Sequence, residues 1–461
     1  MDYHEQIQHL YEDDPGFSVA VETLKKLEKR KARVLNFSHH DLDGVTSAFI
    51  LKRILEKHLK ASVVTKLPAH FRLWEETLVE TLKKEGRFDL LIISDKGTFA
   101  AYDALLKHVK DILIIDHHQL DGKPEKCKLF NPTVEISEYS SSVALLCHMI
   151  GEKMGVNDIY MDFAALIGCR GDFAFDPVEK TSLEFTRPFL EHVQKKFPEM
   201  FNVFAGRPTM YDLVDRNRTA PINQLAEALH VGTISHLYSD LLKVDIENGP
   251  EFLLKFFEEL AESGSFEITS VESLLRKGKF GPILMQVFDQ YKKDWKLLEG
   301  RIQTPIALGE ARGVGIYLFF AEEAEAMKVA PFPAILPFVV STNLENLKRA
   351  GRHAHAMAII FCPKERGIHI SMRGGGGLLN CGKICYELAN KLSSIYPGYS
   401  IGGGGHEKAA ELTADKPVPM YAVMQELLFM FQRIIELSKL LDNGRASRRE
   451  IEEARNLGIS C

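Results

Sequence analysis

Val34-Leu35-Asn36-Phe37-Ser38-His39-His40-Asp41-Leu42-Asp43-Gly44-Val45-Thr46 is the stretch from which the fold is read. The short apolar run Val34–Phe37 has the length of a buried strand. It stops abruptly in the polar HHDLDG of residues 39–44. From Val45 to Lys60 (VTSAFILKRILEKHLK) the apolar residues return with helical spacing. A buried strand, a polar turn and a helix make the opening unit of a parallel α/β sheet.

The same rhythm runs outward. An amphipathic helix is expected over 17–31, before the first strand. After it come a strand at Ser62–Thr65, a helix at Leu73–Lys84, a strand at Asp89–Ile93, a helix at Ala100–Val109 and a strand at Ile112–Ile115. Strands this apolar are covered on both faces. Polar residues gather just past the strands, at 39–44, 95–98 and 116–119. In open α/β sheets that edge binds ligands.

From about residue 180 the pattern turns helical, with Ile222–Leu229, Pro250–Ala261 and Ile283–Arg301 as the clearest segments. Strand signal returns after Thr304-Pro305, at Ala307–Ala311, Gly315–Phe320, Ala356–Phe361 and Ile368–Met372. Two glycine runs follow, Gly374–Gly377 and Gly402–Gly405, then a helix near 418–441. The division expected is therefore a catalytic α/β domain over 1–179, a helical insertion over 180–304, a smaller α/β domain over 305–441 and a charged tail over 442–461, either helical or loose. The active site is expected in the cleft between the two α/β domains.

Bulk properties exclude several classes. The net charge of −6 does not suit a protein that grips nucleic acid by overall charge, although a local groove or bound cations can supply a positive field. No apolar run reaches the ~20 residues of a membrane span. The first 30 residues carry charge throughout, so no signal peptide is expected. The cysteines at 127, 147, 169, 362, 381, 385 and 461 form no CxxC pair, and reduced thiols in a cytoplasmic protein are the expectation.

Four acidic or histidine clusters fall at expected strand ends: His39/Asp41/Asp43, Asp95, Asp116-His117-His118 and Asp172. A lone Asp there is more often a helix N-cap than a ligand. Together they mean more. Alternate residues of an extended segment share a side, so Asp41 and Asp43 are expected to face one site. Carboxylates crowded at one sheet edge repel each other unless a cation joins them. Mixed carboxylate and imidazole donors suit Mn²⁺ first, with Mg²⁺ as the alternative. Two such ions, bridged by a shared carboxylate for which Asp95 is the candidate, clamp an in-line phosphoryl displacement.

HHDLDGVTS, Asp95 after LLIIS, IIDHH at 114–118 and ALIGCRGD at 165–172 resemble the four ordered motifs of the DHH phosphoesterase superfamily. Gly403-Gly404-Gly405-His406-Glu407-Lys408-Ala409-Ala410 resembles the GGGHxxAA signature of its usual C-terminal partner domain. The resemblance spans about residues 34–412. It implies metal-ligand roles for Asp41, Asp43, Asp95, His117 and Asp172. His118 is implied near the scissile phosphate, and Asp116 as the group that orients a histidine. One common form of the first motif has a histidine four residues before the first aspartate. Here that position is Phe37, and His39 is the substitute ligand, as in HxDxDG forms; His40 is left unassigned. The partner domain is implied to hold the nucleotide through Arg373, Gly403, Gly404, Gly405 and His406, with glycine N–H groups forming an anion nest. A flexible loop is the competing reading of Gly374–Gly377. The family signature usually continues with Gly after the alanine pair. Glu411 stands there, altering a helix start or adding a charge.

The layout separates relatives within that superfamily. Family pyrophosphatases end in a different partner domain, and cyclic-dinucleotide phosphodiesterases typically carry membrane helices. Short oligoribonucleases lack a helical insertion of this size. With its HxDxDG form, the chain looks most like archaeal RecJ-like nucleases. This implies an exonuclease releasing mononucleotides from single-stranded DNA, RNA or both, in replication or repair. Its insertion would dock a GINS-type or Hef-type partner, and self-association stays open. Lys277-Gly278-Lys279-Phe280 and Tyr291-Lys292-Lys293-Asp294-Trp295 are candidate strand-binding segments, against a solvated helix face. The alternatives are a phosphoesterase of short oligoribonucleotides and, from another class, a non-catalytic replication scaffold.

Overall fold

The computed structural model describes residues 1–28, 31–68, 75–118, 120–132, 141–264, 266–299, 305–320, 332–364, 367–399, 401–414 and 418–461. They form two compact units, Met1–Gln290 and Tyr291–Cys461.

The first unit begins with helices α1 (Tyr3–Asp13) and α2 (Pro15–Lys25). Strand β1 (Arg33–Ser38), helix α3 (Leu42–Arg53), strand β2 (Ser62–Lys66), helix α4 (Glu75–Glu85) and strands β3 (Leu90–Ser94), β4 (Ile112–Ile115) and β5 (Lys128–Phe130) follow. The sheet order is β2-β1-β3-β4-β5, parallel throughout. Register decides the function of its edge. Ser38 pairs with Ser94, and Ser94 with Ile115, so three strands end at one level. His39, Asp95 and Asp116 are the next residues of each, and they leave the sheet side by side.

Leu35, Phe37, Leu91, Ile93, Ile112 and Ile114 form a buried layer with Leu78 and Leu82 of α4. On the other face α3 packs with two helices that the sequence pattern did not mark, α5 (Val143–Lys153) and α6 (Ile159–Gly171). Both are buried along nearly their whole length, so no polar face reveals their period. The expected 17–31 helix is the shorter α2. Residues 100–107 wind as a 3₁₀ helix rather than an α-helix. The start expected for α4 lies at residues 73–74, outside the described residues.

Helices α7 (Arg187–Gln194), α8 (Pro221–Thr233), α9 (Gly249–Glu262) and α10 (Gly281–Glu299) are the longer helices of the helical stretch. Helices α8 and α9 pack on α3 and α6, so this stretch belongs to the first compact unit up to Gln290. Phe49 and Phe257 meet at 5.4 Å across that contact. Tyr291 and Trp295 of α10 are buried, which removes their rings as a strand-binding surface. Phe280 is half-buried and packs edge-on against Phe252. No described helix is long and apolar enough to cross a membrane.

A buried polar relay ties α1 to this core. Tyr3 Oη–H donates to His148 Nδ1 (2.7 Å), His148 Nε2–H to Asp162 (2.9 Å), and Lys196 Nζ to Asp162 (2.7 Å). Burial pushes the Asp162 carboxyl up, but His148 and Lys196 more than reverse this and hold it below its usual range. Removing the acid from a buried pair strands its partners. Lys196 retains access to water, so Asp162→Ala is expected to cost about 2 kcal/mol in a urea melt near neutral pH. A depressed folded-state pKa stabilises above the unfolded-state value and ceases to do so as pH falls through the folded one. Wild type and variant are therefore expected to converge in acid; a constant gap would refute the ionic origin.

The second unit contains β6 (Ile306–Ala311), β7 (Val314–Phe320), α11 (Phe332–Ser341), α12 (Leu344–Gly351), β8 (His355–Lys364) and β9 (Gly367–Gly374). It continues with α13 (Cys381–Ile395), β10 (Ile401–Gly405), β11 (Ala409–Ala414), α14 (Met420–Asp442) and α15 (Arg448–Asn456). The sheet order is β6-β7-β8-β9-β11-β10, with only β7 and β8 parallel among the described strands. Met357, Ile359, Phe361, Ile370 and Met372 face α13 and α14. Ala356, Ala358 and Ile360 face α11 and α12.

Several expectations change here. Gly374–Gly377 is not a loose loop. All four residues have positive φ, and a Cβ on Gly375 would lie 2.3 Å from Leu379 O. The Gly374 and Gly375 N–H groups donate to Lys408 O and Ala356 O, so they do not form an anion nest. Gly403 lets β10 lie against α13, where a Cβ would come 2.5 Å from Cys385 O. The tail is helical and tethered: Ile459 bridges Leu379, and Ser460 Oγ donates to Gly377 O (2.8 Å). Glu411 sits in strand β11, not at a helix start.

Candidate metal centre

The turn after β1 is tight. A Cβ on Gly44 would lie 2.5 Å from His39 O, so only glycine allows α3 to begin at once. Asp41 is the N-cap of α3 and accepts from Gly44 N (2.9 Å). Asp43 sits in the first helical turn, not on an extended segment as the alternation argument required. The two carboxylates reach the site because they belong to a helix N-terminus. Asp43 accepts from Val143 N (2.6 Å) and Ala144 N (2.9 Å), the first donors of α5. Helix N-termini stabilise anions. Burial and the carboxylates of Asp172 and Asp95 nevertheless push Asp43 well above its usual pKa.

Asp95 follows β3 in a left-handed conformation (φ +57°), its N–H donating to Ile115 O (3.1 Å). Its buried carboxylate lies 3.6 Å from His39 Nδ1, 3.3 Å from His117 Nε2 and 3.9 Å from His118 Nδ1. His39 Nδ1 also lies 2.8 Å from the Asp41 carboxylate. Burial opposes a charged His39, yet Asp41 and Asp95 prevail and raise its pKa to about 9.

His117 donates from Nδ1 to the Ser141 carbonyl, which turns Nε2 towards Asp95 and towards Asp172 at 3.4 Å. A backbone partner on one ring nitrogen fixes the tautomer that frees the other as a ligand. His118 Nδ1–H donates to Asp116 (2.8 Å), which also accepts from Thr98 Oγ1 (2.6 Å). Burial raises the Asp116 pKa, but His118, His117 and Thr98 outweigh it and drive it far below normal. Asp172 is the C-cap of helix α6, not a strand end.

Within the first unit, three sets of donor atoms each lie within 4.8 Å of one another: His39/Asp41/Asp95, Asp43/Asp95/His117 and Asp95/Asp116/His118. Asp95 belongs to all three. Its Oδ2 is buried and accepts no hydrogen bond among the described residues. An orphaned carboxylate oxygen amid carboxylate and imidazole donors fits a divalent cation well.

The sequence reading missed several supporting residues. Lys96 is buried directly after Asp95; burial pulls its pKa down to about 7, while Asp95 and Asp41 pull it up. Arg170 is fully buried and braces the end of α6. It donates to Asn223 Oδ1 (2.6 Å), Phe175 O (2.8 Å) and Tyr211 O (3.0 Å). Lys96 was legible as part of the polar 95–98 cluster. Arg170 was legible only as an arginine inside an otherwise apolar run. Cys147 and Cys169 lie near Asp43, and burial pushes both thiols far up.

The remaining expected residues belong to the second unit. Arg373 on β9 donates to Ala410 O (3.1 Å) and forms an ion pair with Glu411 (3.0 Å). Gly403, Gly404 and Gly405 lie in β10, and His406 follows with its N–H donating to Ala409 O (2.8 Å).

The family model of the DHH family N-terminal domain matches residues 33–168. Residues 33–168 are a DHH domain. Over 177 residues the chain is 27% identical to an uncharacterized protein of Methanocaldococcus jannaschii, covering 34% of this chain and 39% of that one. Over 171 residues it is 27% identical to a putative prophage-derived single-strand DNA-specific exonuclease of Bacillus subtilis, covering 34% and 27%. These matches thus span well under half of either curated relative. The structure of RecJ from Thermus thermophilus in complex with Mn²⁺ superposes with a TM-score of 0.56 at 16% identity, over 91% of this chain and 55% of that one. That likeness extends the shared fold beyond the DHH domain into the second unit.

Proposed function

We propose that this chain is a two-metal-dependent exonuclease that hydrolyses single-stranded DNA, RNA or both to mononucleotides, in DNA replication or repair. The observation that carries the reading is Asp95, whose buried carboxylate stands in both the His39/Asp41 set and the Asp43/His117 set. One carboxylate common to two donor sets is the arrangement that bridges paired ions. His39, Asp41 and Asp95 would hold one ion, and Asp43, Asp95, His117 and Asp172 the other. Mn²⁺ is the expected ion and Mg²⁺ the alternative. Bound ions would lower the pKa of water and neutralise charge developing on the phosphoryl oxygens.

The chain's own groups supply the rest. Ser141 O fixes the His117 ring, and Asp116 fixes that of His118, so neither has to reorient when substrate binds. His118, held through Nδ1, is assigned to the scissile phosphate through Nε2. Arg373, His406 and the backbone of Gly403–Gly405 are assigned to holding the strand. Residues 1–179 would form the catalytic domain and 305–441 the strand-binding one. The 180–304 stretch would present the docking face for a replication or repair partner.

Mn²⁺-dependent digestion of DNA and RNA strands labelled at either end tests this directly. Mononucleotides released progressively from one end are the expected product, with chelation abolishing release. Rapid turnover confined to very short oligoribonucleotides would move the assignment to an oligoribonuclease. Absence of hydrolysis under every metal condition would favour a non-catalytic scaffold.

A further inference from the structure

Phe173, the residue directly after Asp172, carries two unfavourable features at one position. The residue is 42% exposed. Its backbone is left-handed, with φ +56°. Helices commonly end in that conformation, but with glycine or asparagine. A bulky residue there is an outlier, and such strain concentrates where a ligand is met. Among the described non-glycine residues with positive φ, the others are all lysine, arginine or aspartate.

The ring is held from beneath. Its centre lies 5.1 Å from that of buried Tyr211, inclined at 54°. The Arg170 guanidinium carbon lies 5.4 Å from the Phe173 ring and 4.7 Å from the Tyr211 ring. Tyr211 Oη is fixed in turn by His230 Nδ1 (3.0 Å). Phe173 N–H donates to Arg170 O (3.1 Å), and Ala174 N–H to Cys169 O (2.9 Å). The strained turn is thus locked by its own backbone bonds, and the ring rests on a cation and a second ring that cannot move away. The result is a rigid aromatic surface beside one proposed metal ligand.

We propose that Phe173 is a nucleobase-stacking platform, taking the base of a nucleotide next to the scissile phosphate. The inference rests on the phosphodiesterase reading of the centre and adds a base subsite to it. Every base offers a π face, so such a platform is tolerant of sequence, as exonucleolytic digestion requires. Arg170 and Tyr211 are positioning residues beneath it.

The test uses Mn²⁺-loaded protein and single strands, intact or with one abasic residue at successive positions from the attacked end. Phe173→Gly keeps the left-handed turn and Phe173→Trp keeps a ring. Stacking on an aromatic side chain corresponds to roughly tenfold in affinity, so Phe173→Gly is expected to raise KM about tenfold with kcat little changed. Phe173→Trp is expected to stay near wild type. The wild type should slow about tenfold at one abasic position, and Phe173→Gly should show no further loss there. Fluorescence anisotropy of a labelled strand, with Ca²⁺ replacing Mn²⁺, should show the same weakening in Kd. Wild-type KM and Kd in Phe173→Gly, or an undiminished abasic penalty in it, would overturn the platform while leaving the nuclease reading intact. A wild-type protein that cleaves no strand at all removes both.

Discussion

Asp95→Asn is expected to lower kcat for strand hydrolysis by at least about a thousandfold, because several kcal/mol of charge stabilisation leave with one carboxylate. Asparagine is the informative replacement. It tolerates the left-handed backbone that Asp95 adopts at φ +57°, so the fold is not strained as it would be by alanine. It also retains an oxygen that can accept from His39 or His117. What it removes is the negative charge common to both donor sets. Isothermal titration with Mn²⁺ should show both binding events weakened together. Weakening of one event alone would mean that Asp95 does not bridge. Undiminished hydrolysis would place the chemistry elsewhere.

Gly168→Ala attacks the same centre from below. Helices α3, α5 and α6 meet at Gly168. An added Cβ would lie 2.4 Å from Ala144 Cβ, 2.6 Å from Thr46 Oγ1 and 2.8 Å from Asp43 Oδ1. Ala144 Cβ is fixed to its backbone, so the helices themselves must separate. Overpacking of this kind costs about 1–3 kcal/mol, partly offset by roughly 1 kcal/mol of better helix propensity. The functional loss is expected to exceed the structural one. Asp43 depends on the Val143 and Ala144 donors for its position. Displacing such support typically lowers metal affinity about 10–100-fold. A modestly lower melting temperature with Mn²⁺ affinity reduced in that range is the expected pair of results. Wild-type affinity in a clearly destabilised variant would detach Asp43 from the metal site.

Some of this was visible in the sequence for sound reasons, and some for the wrong ones. The β1 strand and the polar turn after it were legible because burial on both faces leaves a short apolar run, interrupted only by Asn36. Asp41 and Asp43 were paired by supposing an extended backbone. They come together at a helix start instead, which the Asp-x-x-Gly spacing of Asp41 and Gly44 could have suggested through N-capping. Asp172 looked like a strand-end acid because α6, IYMDFAALIGCRG, is buried on nearly every side and shows no clear helical period. The supports were beyond local pattern altogether. Ser141 and Thr98 are separated from the histidine and aspartate they hold by long stretches of chain, and nothing in composition announces such pairing.

The dispersal of these parts along the chain governs when a working centre can exist. Its donors run from His39 to Asp172, and the Arg170 brace closes only on Asn223. A parallel sheet also defers its pairing until distant segments meet, which slows folding. At roughly 5–20 residues per second, synthesis delivers Asn223 about 10–40 s after Asp41. During that interval the growing chain carries the first acidic pair without the architecture that lets it grip an ion. On the proposed metal-dependent reading, loading would thus be a late event in the life of the polypeptide, and the nascent chain would be spared premature hydrolytic competence.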